Sequence, residues 1–147
     1  MKLNQLALDF SLLDQEGKTF RLLESLGSTG TVVFFYPKDD TAVCSAEVCA
    51  FRDEYRSFVD GGIVVVGISG DTIESHRAFA SKTGLPYRIL SDRDGKVRRA
   101  WGVPRTLGFI PGRVTYVLDS QGVVKSICSD PLRVEEHVKT ALASLKA

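Results

Sequence analysis

Cys44 and Cys49 are the residues of this chain best placed to do chemistry, and they fall in one segment, Tyr36-Pro37-Lys38-Asp39-Asp40-Thr41-Ala42-Val43-Cys44-Ser45-Ala46-Glu47-Val48-Cys49. The segment leaves an apolar, β-branched run and opens a helical pattern. In open α/β sheets ligands bind in the crevice at such a strand-to-helix junction. A cysteine in the first helical turn lies near unpaired backbone N–H groups and the positive end of the helix dipole. Both favour thiolate over thiol, and a nearby arginine adds to the effect. A lone cysteine on this stripe would read as a small apolar core residue. Thr41 three residues before Cys44 and Cys49 five after it argue for nucleophilic sulfur chemistry instead.

The C-x4-C spacing is neither the C-x-x-C of dithiol oxidoreductases nor a usual zinc half-site, and no second Cys/His pair accompanies it. Five residues on an ideal helix give about 140° of rotation and 7.5 Å of rise, hence Cα atoms roughly 8.7 Å apart. A disulfide needs Cα atoms within about 7 Å. Two helical cysteines at this spacing cannot bond while the helix is intact, so a bond between them requires the first turns to unwind.

Other candidates read as background. Cys128 ends a strand-like run and is expected to be a passive thiol, with a fallback resolving role as the alternative. His76 and His137 fall in different helices, each without a nearby cysteine or paired histidine, so no metal site is expected. Asp39, Asp40 and Glu47 resemble a metal-binding carboxylate group, but Glu47 is better assigned to the hydrogen bonding around Thr41 and the helix start. Arg93, Lys96, Arg98, Arg99 and Arg105 read as a solvated face, and Gly67-Ile68-Ser69-Gly70 is not a phosphate-cradling loop.

The elements that must position the cysteines follow from pattern. Phe10–Leu13 and Thr19–Arg21 flank the turn Asp14-Gln15-Glu16-Gly17 and predict an N-terminal hairpin. Val32–Tyr36, stopped by Pro37, and Ile63–Ile68 lack polar alternation and read as buried central strands. Between them Cys44, Val48, Phe51, Tyr55, Phe58 and Val59 form a helical stripe that predicts a helix from 41–44 to Val59, ended by Gly61-Gly62. Asp71 or Thr72 caps a helix running to about Thr83, where Gly84 and Pro86 stop it. Ile89-Leu90 predicts a short strand and Lys96–Trp101 a short helix. Arg113–Leu118 and Val123–Cys128 bracket Asp119-Ser120-Gln121-Gly122 as a second hairpin. A last helix follows Pro131, with Val134, Val138, Ala141, Leu142 and Leu145 on one face. This order predicts an α/β fold: a thioredoxin-like three-layer sandwich with a mixed central sheet and an N-terminal β-hairpin extension, in a single domain over residues 1–147.

Composition narrows the partners. The 147 residues are 44% hydrophobic and 25% charged, which suits a packed core. Lys+Arg total 19 against 18 Asp+Glu, a formal charge of +1. That balance argues against nucleic acid or an anionic membrane as the main partner. The longest apolar runs fall far short of the ~20 residues needed to span a bilayer. No secretory signal is visible, and three cysteines do not make a disulfide scaffold, so a reducing compartment is expected, the cytoplasm or, for a processed chain, a plastid.

Pro37-x-x-x-Thr41-x-x-Cys44 resembles the active-site signature of the peroxiredoxins. The Cys44/Cys49 spacing, with Phe51-Arg52-Asp53 after it, resembles the peroxiredoxin Q branch, the bacterioferritin comigratory proteins. The similarity extends through Gly67–Asp71, Leu90-Ser91-Asp92, Trp101-Gly102-Val103 and Pro111–Asp119, nearly the whole chain. The resemblance implies a peroxidatic Cys44 and a resolving Cys49 joined in an intramolecular disulfide. It also implies that Thr41 and Arg113 orient peroxide and stabilise charge, and that Pro37 shields the site. Ala42-Val43 stands where Pro-Gly is frequent in the family, and Ser45 where Thr is frequent, changes that touch loop stiffness. The implied substrates are hydrogen peroxide and organic hydroperoxides, the implied reductant is thioredoxin or a similar dithiol protein, and the chain is expected to be a monomer without cofactor or metal.

The chemistry sets what these residues must supply. A thiol of pKa ~8.5 is already about 3% ionised at pH 7, so complete ionisation gains only roughly 30-fold, about 2 kcal/mol. A lower pKa also weakens each thiolate as a nucleophile. The rest must come from charge stabilisation as the O–O bond breaks, for which Thr41, the Cys44 backbone N–H and Arg113 are suited. A peroxide-responsive redox switch or holdase would use the same cysteines. A disulfide reductase is disfavoured by the missing C-x-x-C.

Overall fold

The computed structural model describes residues 1–103, 105–106, 110–111, 113–129, 137 and 141, without the side chains of 42–44, 105–106 and 110–111. Its strands are β1 (Ser11–Asp14), β2 (Thr19–Arg21), β3 (Gly30–Phe35), β4 (Ile63–Ser69), β5 (Arg88–Ser91), β6 (Arg105–Thr106), β7 (Ile110–Pro111), β8 (Val114–Asp119) and β9 (Val124–Cys128). Its helices are α1 (Ala42–Asp53), α2 (Tyr55–Asp60), α3 (Ile73–Thr83) and α4 (Lys96–Ala100).

The unbroken apolar run of β3 is buried at all six positions because β3 occupies the middle of a seven-stranded sheet of order β2-β1-β5-β4-β3-β8-β9. It pairs in parallel with β4 and antiparallel with β8, so the sheet is mixed as expected. Alternate residues of β3 feed two cores. Val33 and Phe35 pack with Val66, Ile68, Tyr116 and Trp101, and with Val97 of α4. Val32 and Phe34 pack with Phe51 of α1, Phe58 of α2 and Phe79 of α3. Helices on both faces make the three layers. Gly67 of β4 pairs with Phe34, and a Cβ there would come within 2.7 Å of the Phe34 ring, so the position requires glycine.

The N-terminal hairpin forms, and β1 also pairs antiparallel with β5, so the hairpin extends the main sheet. Phe10 falls outside β1, its ring packed against Phe20 and Trp101. Thr72 caps α3, accepting the Ser75 N–H at 2.9 Å, and Gly84 ends it in the left-handed region at φ 65°.

Several expectations are corrected. The helix expected through Val59 is two helices separated at Glu54, although Glu54 N–H still donates to Ala50 O (3.2 Å) and Phe58 N–H to Glu54 O (3.3 Å). Phe58 stays fully buried past that irregularity, but Val59, the last stripe residue, is 50% exposed. Strand β8 begins at Val114, with Arg113 just before it, and the β6–β7 pair was not anticipated. The expected last helix lies outside the described residues except for His137 and Ala141, both helical and buried. Among the described residues no helix is long and apolar enough to cross a membrane.

Candidate active site

The site forms where β3 ends. Pro37 is half-buried there and lines a cavity of about 280 Å³ between the carboxyl ends of β3 and β4 and the start of α4. Of the expected site residues Pro37 alone is among the described residues lining it, and none is among those lining a larger cavity of about 590 Å³ toward the amino end of β4. After Pro37 the chain turns through Asp40, held at φ 60°, a conformation aspartate tolerates better than most residues. Thr41 then opens α1 with extended backbone (ψ 156°), and its carbonyl accepts the Ser45 N–H at 2.8 Å. The Thr41 hydroxyl does not cap the helix side chain to backbone. It is exposed and donates to Lys38 O at 3.2 Å.

Cys44 is the third residue of α1, in its first turn, as expected; its side chain lies outside the described residues. Cys49 is a free thiol, half-buried, two turns into the register, between fully buried Val48 and Phe51. Glu47, one turn beyond Cys44, is fully buried, and its Oε1 accepts the Arg113 Nη1–H at 2.6 Å. This pair brings Arg113, from just before β8, to α1 one turn past Cys44. Burial pushes the Glu47 carboxyl up to about 7 against the opposing charge and hydrogen bond of Arg113. Glu47 Oε2 lacks a hydrogen-bond donor among the described residues and lies 3.5 Å from His137 Nδ1, which is itself 2.6 Å from the Thr115 hydroxyl.

Glu47 therefore bonds Arg113, not Thr41, a correction that local spacing could not have signalled, since the partner lies 66 residues away. The three carboxylates read as a group go to separate places: Asp39 is buried beside His76, exposed Asp40 pairs with Lys82 at 2.8 Å, and Glu47 binds Arg113. His76 and His137, set aside as isolated, are both fully buried and bonded next to the site. Cys128 ends the edge strand β9, half-buried and opposite Thr115.

A thioredoxin-like sheet that delivers a cysteine in the first turn of a helix, with a buried arginine arriving from a neighbouring strand, defines a thiol-based oxidoreductase. Residues 3–127 match the AhpC/TSA family. The chain is 50% identical over 144 residues to chloroplastic peroxiredoxin Q of Arabidopsis thaliana, covering 97% of this chain and 66% of that one. It is 48% identical over 139 residues to chloroplastic peroxiredoxin Q of Sedum lineare, covering 94% and 74%. It thus spans about two-thirds of the length of these curated relatives. Peroxidoxin BcpB of Mycobacterium tuberculosis superposes with a TM-score of 0.92 at 36% identity, over 99% of this chain and 97% of that one. The Xanthomonas campestris bacterioferritin comigratory protein, studied for its alkyl peroxide reduction activity, gives 0.84 at 27% identity over 93% and 90%. The chain belongs to the AhpC/TSA family, on its peroxiredoxin Q branch.

Proposed function

We propose that this peroxiredoxin reduces hydrogen peroxide and organic hydroperoxides with Cys44 as nucleophile, and that Cys49 resolves the product. The Cys44 thiolate forms an S–O bond as the O–O bond breaks, giving Cys44 sulfenic acid and hydroxide or alkoxide, which takes a proton to leave as water or alcohol. Cys49 then attacks the sulfenic sulfur, forming the Cys44–Cys49 disulfide and releasing water. Thioredoxin or a similar dithiol protein reduces the disulfide by thiol exchange and is itself oxidised. The cysteine carries the redox change.

The observation that carries the reading is the Glu47–Arg113 pair, which anchors a guanidinium to α1 one turn past Cys44, and in this reading that cation meets the negative charge developing on the departing oxygen. Thr41 supplies a hydroxyl at the start of that helix, and Pro37 flanks it from the end of β3. The alkyl peroxide reduction of the Xanthomonas campestris relative supports including organic hydroperoxides. The disulfide closes within one chain, so a monomer suffices. A reducing compartment suits free thiols, the cytoplasm or, as in the chloroplastic relatives, a plastid.

The unwinding that the disulfide demands favours one second reading, a redox switch or holdase. Turnover separates the two: with excess peroxide and a thioredoxin system a peroxidase continues, whereas a switch stops after stoichiometric oxidation. In the same assay Cys44→Ser abolishes peroxide consumption. Cys49→Ser completes one turnover and accumulates sulfenic acid, detected by mass spectrometry after trapping. Turnover by Cys44→Ser would overturn the assignment.

A further inference from the structure

Asp39, two residues before Thr41, is held from several elements at once. Its N–H donates to Asp71 Oδ2 at 2.8 Å, and the Ser69 hydroxyl donates to the same oxygen at 2.6 Å. Its carboxylate accepts the Tyr36 hydroxyl on Oδ1 at 2.6 Å and the Ser75 hydroxyl on Oδ2 at 2.8 Å. The His76 imidazole completes the set, with Nδ1 2.7 Å from Asp39 Oδ2 and Nε2 3.0 Å from Leu90 O.

The partners fix the orientation of the ring. A carbonyl oxygen only accepts, so Nε2 carries a hydrogen. Burial pushes the Asp39 carboxyl up, but hydrogen bonds from His76, Tyr36 and Ser75 and the His76 charge outweigh it, and the group ends below its usual range. The ring is thus held at both nitrogens, Nε2 on the Leu90 carbonyl and Nδ1 on the Asp39 carboxylate. The pair is buried, with side chains 0% and 4% exposed. Asp39, Asp71 and His76 also offer ligand atoms within 4.8 Å of one another, but both imidazole nitrogens are committed to acceptors, so the group is a hydrogen-bonded clasp rather than a cation site.

We propose that His76 is a positioning residue for peroxide reduction: paired with Asp39, it fastens the loop between β3 and α1 in the arrangement that receives peroxide and restrains the unwinding that the Cys44–Cys49 disulfide requires. The inference rests on the assignment of Cys44 and Cys49 given above. His76 lies within α3 and contacts the loop through Asp39, five residues before Cys44. The clasp ties the loop to the end of β3 through Tyr36, to α3 through Ser75 and His76, and to β5 through Leu90. A fixed loop holds Thr41 and the first turn of α1 in place, which serves the attack on peroxide. The same restraint confines the rearrangement needed for resolution to the residues after the clasp. Releasing it therefore has opposite effects on the two steps, whereas a general loss of structure would impair both.

Single-turnover kinetics with hydrogen peroxide separate sulfenic acid formation from disulfide formation. In His76→Leu the first step slows by roughly tenfold, equivalent to 1.36 kcal/mol, and the second accelerates. His76→Asn, which keeps an N–H directed at Asp39, recovers part of both changes. Equal-signed changes, or none, overturn the proposal. Should His76→Leu not fold, Asp39→Asn carries the same test with the same two outcomes. Heteronuclear NMR of the wild-type imidazole supplies an independent reading: a slowly exchanging Nε2–H, held on the Leu90 carbonyl, is expected, and rapid exchange of that hydrogen with solvent overturns the proposal. Failure of the underlying assignment looks different, since wild-type protein would then consume peroxide without oxidising Cys44, whatever the His76 variants did.

Discussion

The Glu47 carboxyl is fully buried, receives one guanidinium N–H of Arg113 on Oε1 and has no hydrogen-bond donor on Oε2 among the described residues. Ionising it in that setting is costly, and burial wins over the arginine, raising the group from 4.5 to about 7. The folded protein then holds a proton that the unfolded chain has already released between these two values. Stability from this group is greatest below about 4.5 and declines as pH rises to about 7, by about 3 kcal/mol in all. Glu47→Gln keeps an acceptor for Arg113, supplies an N–H₂ in place of Oε2 and has no proton to titrate. The stability of wild type minus that of Glu47→Gln should therefore fall across this window and level off above it. Urea denaturation at a series of pH values checks this, and a difference that rises or stays flat would contradict the burial argument.

At the scale of the element, α1 is loosely started and firmly anchored further on. No side chain caps its first turn, where a good cap is worth about 1 kcal/mol. Val48 and Phe51 are fully buried, Phe51 stacks on Phe34 at 4.5 Å between centroids, and the Tyr87 hydroxyl donates to Val48 O at 2.7 Å. Cys49 sits between these anchors, so reaching Cys44 requires opening the first turns against the hold of the later ones. Phe51→Leu loses the stacking and part of the packing, roughly 1 kcal/mol. It should speed disulfide formation after one equivalent of peroxide by up to about fivefold and leave less irreversible sulfinic acid under excess peroxide. Rapid-quench mass spectrometry reads both, and slower disulfide formation would show that Phe51 does not restrain the opening. The start of α1 was legible because apolar spacing and the Thr41–Cys44 segment agree on it. The interruption at Glu54 was not, since periodicity continues across it, and two-residue β6 and β7 are too short to leave a pattern. Strands β3 and β4 were legible because unbroken β-branched runs mark strands buried on both faces.

At the scale of the whole molecule, the candidate site is assembled by strand register. Pro37, Thr41, Cys44 and Cys49 lie in one segment and could be read together, but Arg113 entered only through family resemblance. Its pairing with Glu47 spans 66 residues, and that of His76 with Asp39 spans 37, separations that no local pattern encodes. The sheet makes these connections: β8 runs antiparallel to β3 with Val114 opposite Phe35, which leaves Arg113 one residue beyond the last pair, at the carboxyl end of β3. A one-residue slip would turn every side chain of β8 to the other face, so the core residues Val114, Tyr116 and Leu118 hold the arginine on the site side as they pack. Arg113→Met keeps the length and packing of the stem while removing the charge and the donors. Loss of one oriented donor to a developing oxyanion costs roughly 10²–10³-fold, and the rate constant for sulfenic acid formation at Cys44 should fall by that order in stopped-flow measurements. The variant should still fold, because without its cation Glu47 rises further and takes up a proton in place of the ion pair. Its stability deficit should accordingly be smaller at pH 6 than at pH 8, since only the ionised carboxylate needs the guanidinium. An unchanged rate with an intact fold would mean that the register carries Arg113 to Glu47 for structure alone.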